Sequence, residues 1–164
     1  VKNLVKHILN TSNEDFDFVL IGITSPENQY FLAGKIDDTL GISLFLSDYI
    51  PFSLKDGRLF KFSLFRFVDS ELSLEYFFIP NTSNFEEPHV NSAVKDDLFA
   101  GFEVDESVKL IKELPKTDYF LILKGENLHT FQYKIIDAIK SIPEIVQIQS
   151  IEPNDLASKR NLIF

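Results

Sequence analysis

The chain has no cysteine, no methionine and no tryptophan among its 164 residues. Without Cys there can be no disulfide framework, no thiolate metal site, no Cys nucleophile and no thiol redox couple. Because position 1 is not Met, the chain is expected to start just after its initiator. No stretch approaches the roughly 20 apolar residues that cross a bilayer. The longest apolar runs, such as Phe18 to Ile23, have the length of a strand. The opening VKNLVKHILNTSNEDFDF lacks the apolar core of a signal peptide and meets an acid by Glu14. Cytoplasm is therefore the expected location, and the sequons at Asn10 and Asn81 are expected to carry no sugar.

Bases are the scarcer charge, 16 against 25 acids, for a net charge of -9. The imbalance is local. Residues 69–106 hold Asp69, Glu71, Glu75, Glu86, Glu87, Asp96, Asp97, Glu103, Asp105 and Glu106 against Lys95 alone, and the rest of the chain is balanced. Such a chain has no general positive field to hold a phosphate backbone or an anionic membrane. Two small basic clusters remain, Lys55-Arg58-Lys61-Arg66 and Lys159-Arg160, and solvated surface accounts for both.

The glycines are few, six in all, and scattered, so neither a P-loop nor a Rossmann fingerprint is present. Gly22, alone in a strand, marks close backbone packing. There is no GxSxG elbow and no HExxH. His7, His89 and His129 lie far apart, which gives no metal motif and no histidine base with a partner. The acid pairs Asp37-Asp38, Glu86-Glu87, Asp96-Asp97 and Asp105-Glu106 read as solvated faces and loops, since acid–base chemistry needs two carboxylates in contrasting environments. No catalytic residue, cofactor or metal is assigned.

What the chain does have is apolar mass: 45% hydrophobic residues and 17 Phe, enough to build a core in one domain spanning 1–164. Residues 3–9 suit a short helix or arm. Phe16 to Thr24 is β-branched and apolar, a strand buried on both faces. Ser25 then caps a helix with Pro26 in its first turn. That helix runs from Glu27 to Leu40, with Leu32, Ile36 and Leu40 stacked, and Gly41 stops it. Ile42 to Leu46 forms a short strand, and Ser47 to Asp56 a loop around Pro51.

Leu59 to Val68 and Leu72 to Ile79, joined by Asp69-Ser70-Glu71, form a β-hairpin. Its apolar phase moves from Phe60, Phe62 and Leu64 to Phe65 and Phe67. A bulge, or burial of both faces, explains the move. The stretch 80–97 is polar and acidic, a long loop. Leu98 to Phe102 is a short strand. Asp105 caps a helix to about Leu114 along Val108, Ile111 and Leu114. Tyr119 to Leu123 is a buried strand, Leu128 to Ile142 a helix and Ile145 to Ile151 the last strand. The class is α+β: a mixed, largely antiparallel sheet with helices packed on it, in the order β-α-β-β-β-α-β-α-β.

The stretch Ile111-Lys112-Glu113-Leu114-Pro115-Lys116-Thr117-Asp118-Tyr119 resembles the signature of the IPExxxVDY family of small bacterial proteins. Ile111, Glu113, Asp118 and Tyr119 match it. Lys112 stands where that motif has Pro, and Thr117 where it has Val. Leu20-Ile21-Gly22-Ile23, Tyr30-Phe31-Leu32-Ala33 and the ending Leu156 to Phe164 also resemble the family. The resemblance implies no activity, cofactor or catalytic residue. Read physically, Ile111 and Tyr119 to Leu121 pack, and Asp118 caps or bridges at a strand start.

The tail sets a basic pair before an apolar end. Lys159, Arg160, Leu162, Ile163 and Phe164 are the candidate partner-binding residues, if the tail docks on a second chain and not on its own fold. Three functions follow as expectations. The first is a non-catalytic interaction or regulatory module, with a protein partner or as a homodimer through a sheet edge or the tail. The second is a small-molecule-binding domain or unfamiliar enzyme, with its pocket near Tyr30, Tyr76, Tyr119 and the acidic loop. The third is an RNA-binding accessory using Phe60-Lys61-Phe62 and Phe65-Arg66-Phe67.

Overall fold

The computed structural model describes residues 17–84 and 107–164. The expected arm at 3–9, the strand at 98–102, Asp105, His7, His89 and the acid pairs at 86–87, 96–97 and 105–106 lie outside these residues.

β1 (Val19–Thr24) leads to α1 (Gln29–Leu40), followed by β2 (Phe45–Ser53), β3 (Leu59–Asp69), β4 (Leu74–Pro80), β5 (Thr82–Asn84) and β6 (Ser107–Lys109). β7 (Tyr119–Gly125), α2 (Leu128–Lys140) and β8 (Gln147–Ile151) follow, then short 3₁₀ turns at Pro153–Asp155 and Lys159–Leu162. Six strands form one sheet in the order β2-β3-β4-β7-β1-β8, and each neighbouring pair is antiparallel. β5 and β6 make a separate two-stranded ribbon. The α+β class is thus as expected, with an antiparallel sheet throughout.

The sheet is covered on both faces by different material. On one face α1 and α2 pack Leu32, Ile36, Ile135 and Ile139 onto Ile21, Phe65, Phe78 and Leu121. On the other, the segment after β6 and the tail pack Leu110, Ile111, Leu156 and Leu162 onto Phe62, Phe77, Phe120 and Ile122. Two-sided cover explains the change of phase in β3. Phe62 and Leu64 serve the tail side, with Phe60 buried in step with them along the strand, and Phe65 and Phe67 serve the helix side. The bulge sits on the neighbouring strand: pairing steps from Leu46–Phe65 to Asp48–Leu64, leaving Ser47 over, and its hydroxyl donates to the Leu64 carbonyl at 3.0 Å.

Three local expectations are corrected. Asn28, not Ser25, caps α1: its side-chain oxygen accepts Tyr30 N–H and Phe31 N–H at 3.1 and 3.0 Å. The Ser25 hydroxyl donates instead to the Glu144 carbonyl at 2.8 Å. Residues 45–53 form one edge strand through Pro51, because an edge leaves Pro's missing N–H unneeded. No helix occupies 107–114. β6 is followed by turns, and the N–H groups of Leu110 and Ile111, which a helix would donate to its own carbonyls one turn back, go to Asn81 instead. The spacing of Val108, Ile111 and Leu114 reflects burial against the tail side, not a helical stripe. Gly41 ends α1 as expected, with φ at 68°.

Candidate binding groove

The stretch 111–119 is a structural clip. The Asn81 side chain, fully buried, donates to the Leu114 and Thr117 carbonyls at 2.9 Å each and accepts Ile111 N–H at 2.8 Å. Its backbone bonds Leu110 and Asp118 as well. Glu113 accepts Ser158 N–H of the tail at 2.7 Å. Burial alone would raise this carboxyl, but the hydrogen bonds it accepts outweigh that and lower it. Thr117 accepts from Gln149 of β8 at 3.0 Å. The Tyr119 hydroxyl donates to the Glu27 carbonyl ahead of α1, and burial followed by the nearby Asp118 and Glu27 charges pushes that phenol up. Ile111, Glu113, Asp118 and Tyr119, the residues that carried the resemblance, are each used within the chain's own fold: Ile111 packs against the tail, Glu113 bonds it, Asp118 accepts the N–H of Ser25 after β1, and Tyr119 bonds the segment ahead of α1.

Beyond this clip the sheet outreaches its helices. α1 packs on β4, and α2 on β7, β1 and β8, whereas β2 lies at the far edge of the sheet. The overhang leaves a groove of about 410 Å³, lined by Asn28, Gln29, Tyr30, Tyr49, Lys61, Ser63, Pro80, Thr82, Ser83 and Tyr119. Pairing places Tyr49 opposite Ser63 and Pro51 opposite Lys61, so these side chains share the helix side. Gln29 donates its amide to the Ser63 hydroxyl at 3.3 Å across the floor. Tyr30 stands edge-on to Phe65, with centroids 5.5 Å apart. Yet Tyr30 is 59% exposed and Tyr49 48%, and neither hydroxyl is bonded within the described residues. Lys61 is the one charged side chain of the lining among the described residues.

Of the three tyrosines expected near a pocket, Tyr30 and Tyr119 line this groove. Tyr76 lies in the core against Phe67, with its phenol pushed up by burial and by Asp69. Tyr49 and Lys61 completed it through β2–β3 pairing, which a chain read with Ser47 to Asp56 as a loop could not show. The tail residues divide. Leu162 is 0% exposed and belongs to the tail-side core, so it faces no partner while the tail is folded. Phe164 packs edge-on to Phe77 with centroids 5.2 Å apart, while Ile163 and Arg160 are exposed. Lys159 reaches Asn154 at 3.4 Å. The rings of Phe60, Phe62 and Phe65 are buried and offer no stacking faces for bases. No three His, Asp or Glu side chains gather as a metal site needs among the described residues. No described helix is long and apolar enough to cross a membrane.

Comparison of the chain with protein families, with curated proteins and with solved structures finds no match in any of the three.

Proposed function

We propose that this protein is a non-catalytic interaction module of the cytoplasm whose helix-side groove seats an extended, acidic stretch of a partner protein. One observation carries the reading: Tyr30 and Tyr49, two half-exposed rings whose hydroxyls bond nothing among the described residues, rise beside a polar floor of Ser63 and Gln29. Tyrosine supplies broad contact area with few rotors to freeze, and its hydroxyl adapts to a partner's polar groups. Lys61 gives the described lining a positive charge, and the turn that joins β2 to β3 adds Lys55, while Arg58 there is paired with Asp56 at 2.7 Å. That sign favours an acidic partner. Kinship with the IPExxxVDY family is part of the same proposal and adds no chemistry to it.

The test is selection of binders from a random peptide library, followed by titration. The expected binders are rich in Asp and Glu, weaken with salt, and lose at least about tenfold in affinity, roughly 1.4 kcal/mol, in Tyr49→Ala. Binders that ignore both Tyr30→Ala and Tyr49→Ala while the fold stays intact would overturn the reading.

A further inference from the structure

A second groove, of about 530 Å³, opens on the opposite, tail-side face. It is lined by Ser47, Asp48, Leu64, Arg66, Glu75, Phe77, Lys124 and Phe164. Its centre is the Phe77 ring, with Lys124 Nζ 4.9 Å from the centroid and the Arg66 guanidinium at 5.8 Å. Lys124 Nζ also lies 4.7 Å from Phe164 and 5.9 Å from Phe18, so three rings surround one ammonium.

The described lining holds two acids and two bases, but only Arg66 and Glu75 among them form an ion pair. Glu75 Oε2 accepts both Nε and Nη2 of Arg66, at 3.2 and 2.9 Å, so that pair neutralises itself. Asp48 turns its carboxylate to the N–H of Tyr49 at 2.7 Å. Lys124 has no carboxylate within ion-pair distance among the described residues, and π faces stand where water would. Burial pulls this amine down from its usual range, and Glu75 opposes the pull only in part. A half-dry cation, flanked by a guanidinium and by flat apolar walls, is complementary to a small anion carrying a flat body.

We infer that this groove binds a small aryl carboxylate, its carboxylate on Lys124 and its ring against Leu64 and Phe164. The inference is independent of the helix-side groove, which lies across the sheet.

The test is NMR titration of the isotope-labelled protein with benzoate and, separately, with benzamide, which has nearly the same shape and no charge. Benzoate is expected to move the amide signals of Arg66, Phe77, Lys124 and Phe164, with a dissociation constant of about 1–10 mM, as suits so small a ligand. Benzamide is expected to bind at least about tenfold more weakly. Lys124→Met, whose thioether keeps contact with the rings, should erase that preference. Equal binding of the two probes, signals that move elsewhere on the protein, or the absence of any benzoate response would each overturn the inference. The comparison on the unaltered chain decides it even if the variant folds poorly.

Discussion

The carboxylate of Asp118 accepts the backbone N–H of Ser25 at 3.0 Å, joining points 93 residues apart in the chain. Ser25 stands where β1 hands over to α1, and Asp118 immediately precedes β7, the strand beside β1. One hydrogen bond to a charged acceptor thereby sets the angle at which the helix layer meets the sheet. Asp118→Ala is expected to lower stability by about 1–3 kcal/mol in denaturant titration, whereas Asp118→Asn, which keeps an acceptor, should lose less than about 1 kcal/mol. Equal losses would show that the bond has no part in the effect.

Asn81 is the polar centre of the clip, and its side chain has no substitute nearby. Asn81→Ala removes the side-chain partner of the Thr117 carbonyl and of the Ile111 N–H, and leaves the Leu114 carbonyl only the N–H of Thr117 at 3.2 Å. A loss above about 3 kcal/mol is expected, enough to leave such a domain largely unfolded when warmed. Asn81→Asp should do no better, because a carboxylate cannot donate to the two carbonyls. Thermal melts followed by circular dichroism check both.

For the tail, Leu162→Ala is expected to destabilise by about 2–5 kcal/mol through the cavity it leaves on the tail side. Arg160→Ala, on an exposed side chain, should change stability by less than about 0.5 kcal/mol. Should Leu162→Ala leave the melting temperature unmoved, the tail is not part of the core.

Gly22 tests close packing. A Cβ placed there would lie 2.8 Å from Ile151 Cδ1, 3.1 Å from Gln149 Cγ and 3.1 Å from Thr117 Cγ2. β8 and the clip press on β1 at this point, so Gly22→Ala should lose about 1–3 kcal/mol by overpacking. Stability equal to the parent would mean that β8 can shift outward freely.

Asp37 gives a pH dependence of defined sign. Burial raises this carboxyl above its usual value, Leu44 N–H at 2.8 Å lowers it, and Asp38 raises it again, for a net rise. A raised acid in the fold means that the native state holds its proton longer than the unfolded chain does. Its favourable contribution is therefore complete below the ordinary Asp value of about 3.9 and is lost as pH climbs through the raised one. Asp37→Asn, which keeps an acceptor for Leu44, is expected to be more stable than the parent at pH 7. The difference should fade near pH 3. An advantage that grows on acidification would contradict this sign.

The fold was legible wherever local chemistry decides. The hairpin of β3 and β4, the buried YFLIL strand and the Gly41 stop follow from alternation and from one backbone conformation. What stayed hidden was decided across long separations. Val108, Ile111 and Leu114 carry helical spacing, yet the N–H of Ile111 that a helix would use is claimed by Asn81, 30 residues earlier. Pro51 suggests a loop until β2 is seen at the sheet edge. The helix-side groove was half legible: Tyr30 and Tyr119 stand out as two of five tyrosines, near strand and helix starts, while Tyr49 and Lys61 join them only through the β2–β3 register. The tail-side groove had no local signal. Lys124 meets Glu75 and Arg66 only once β7 has paired with β4.

The strand order also carries a kinetic consequence. Both neighbours of β1 come from late in the chain, Val19 pairing with Leu123 and Leu20 with Ile151. β2, β3 and β4 can meander into place as they emerge from the ribosome, but β1 must wait for more than half the protein to follow. Until β7 slots between β4 and β1, the apolar flank of β4 at Phe77, Phe78 and Ile79 has no strand beside it. Closure of so long a loop makes this a slow folder for its size, with an aggregation-prone interval during synthesis that ends when β7 is inserted.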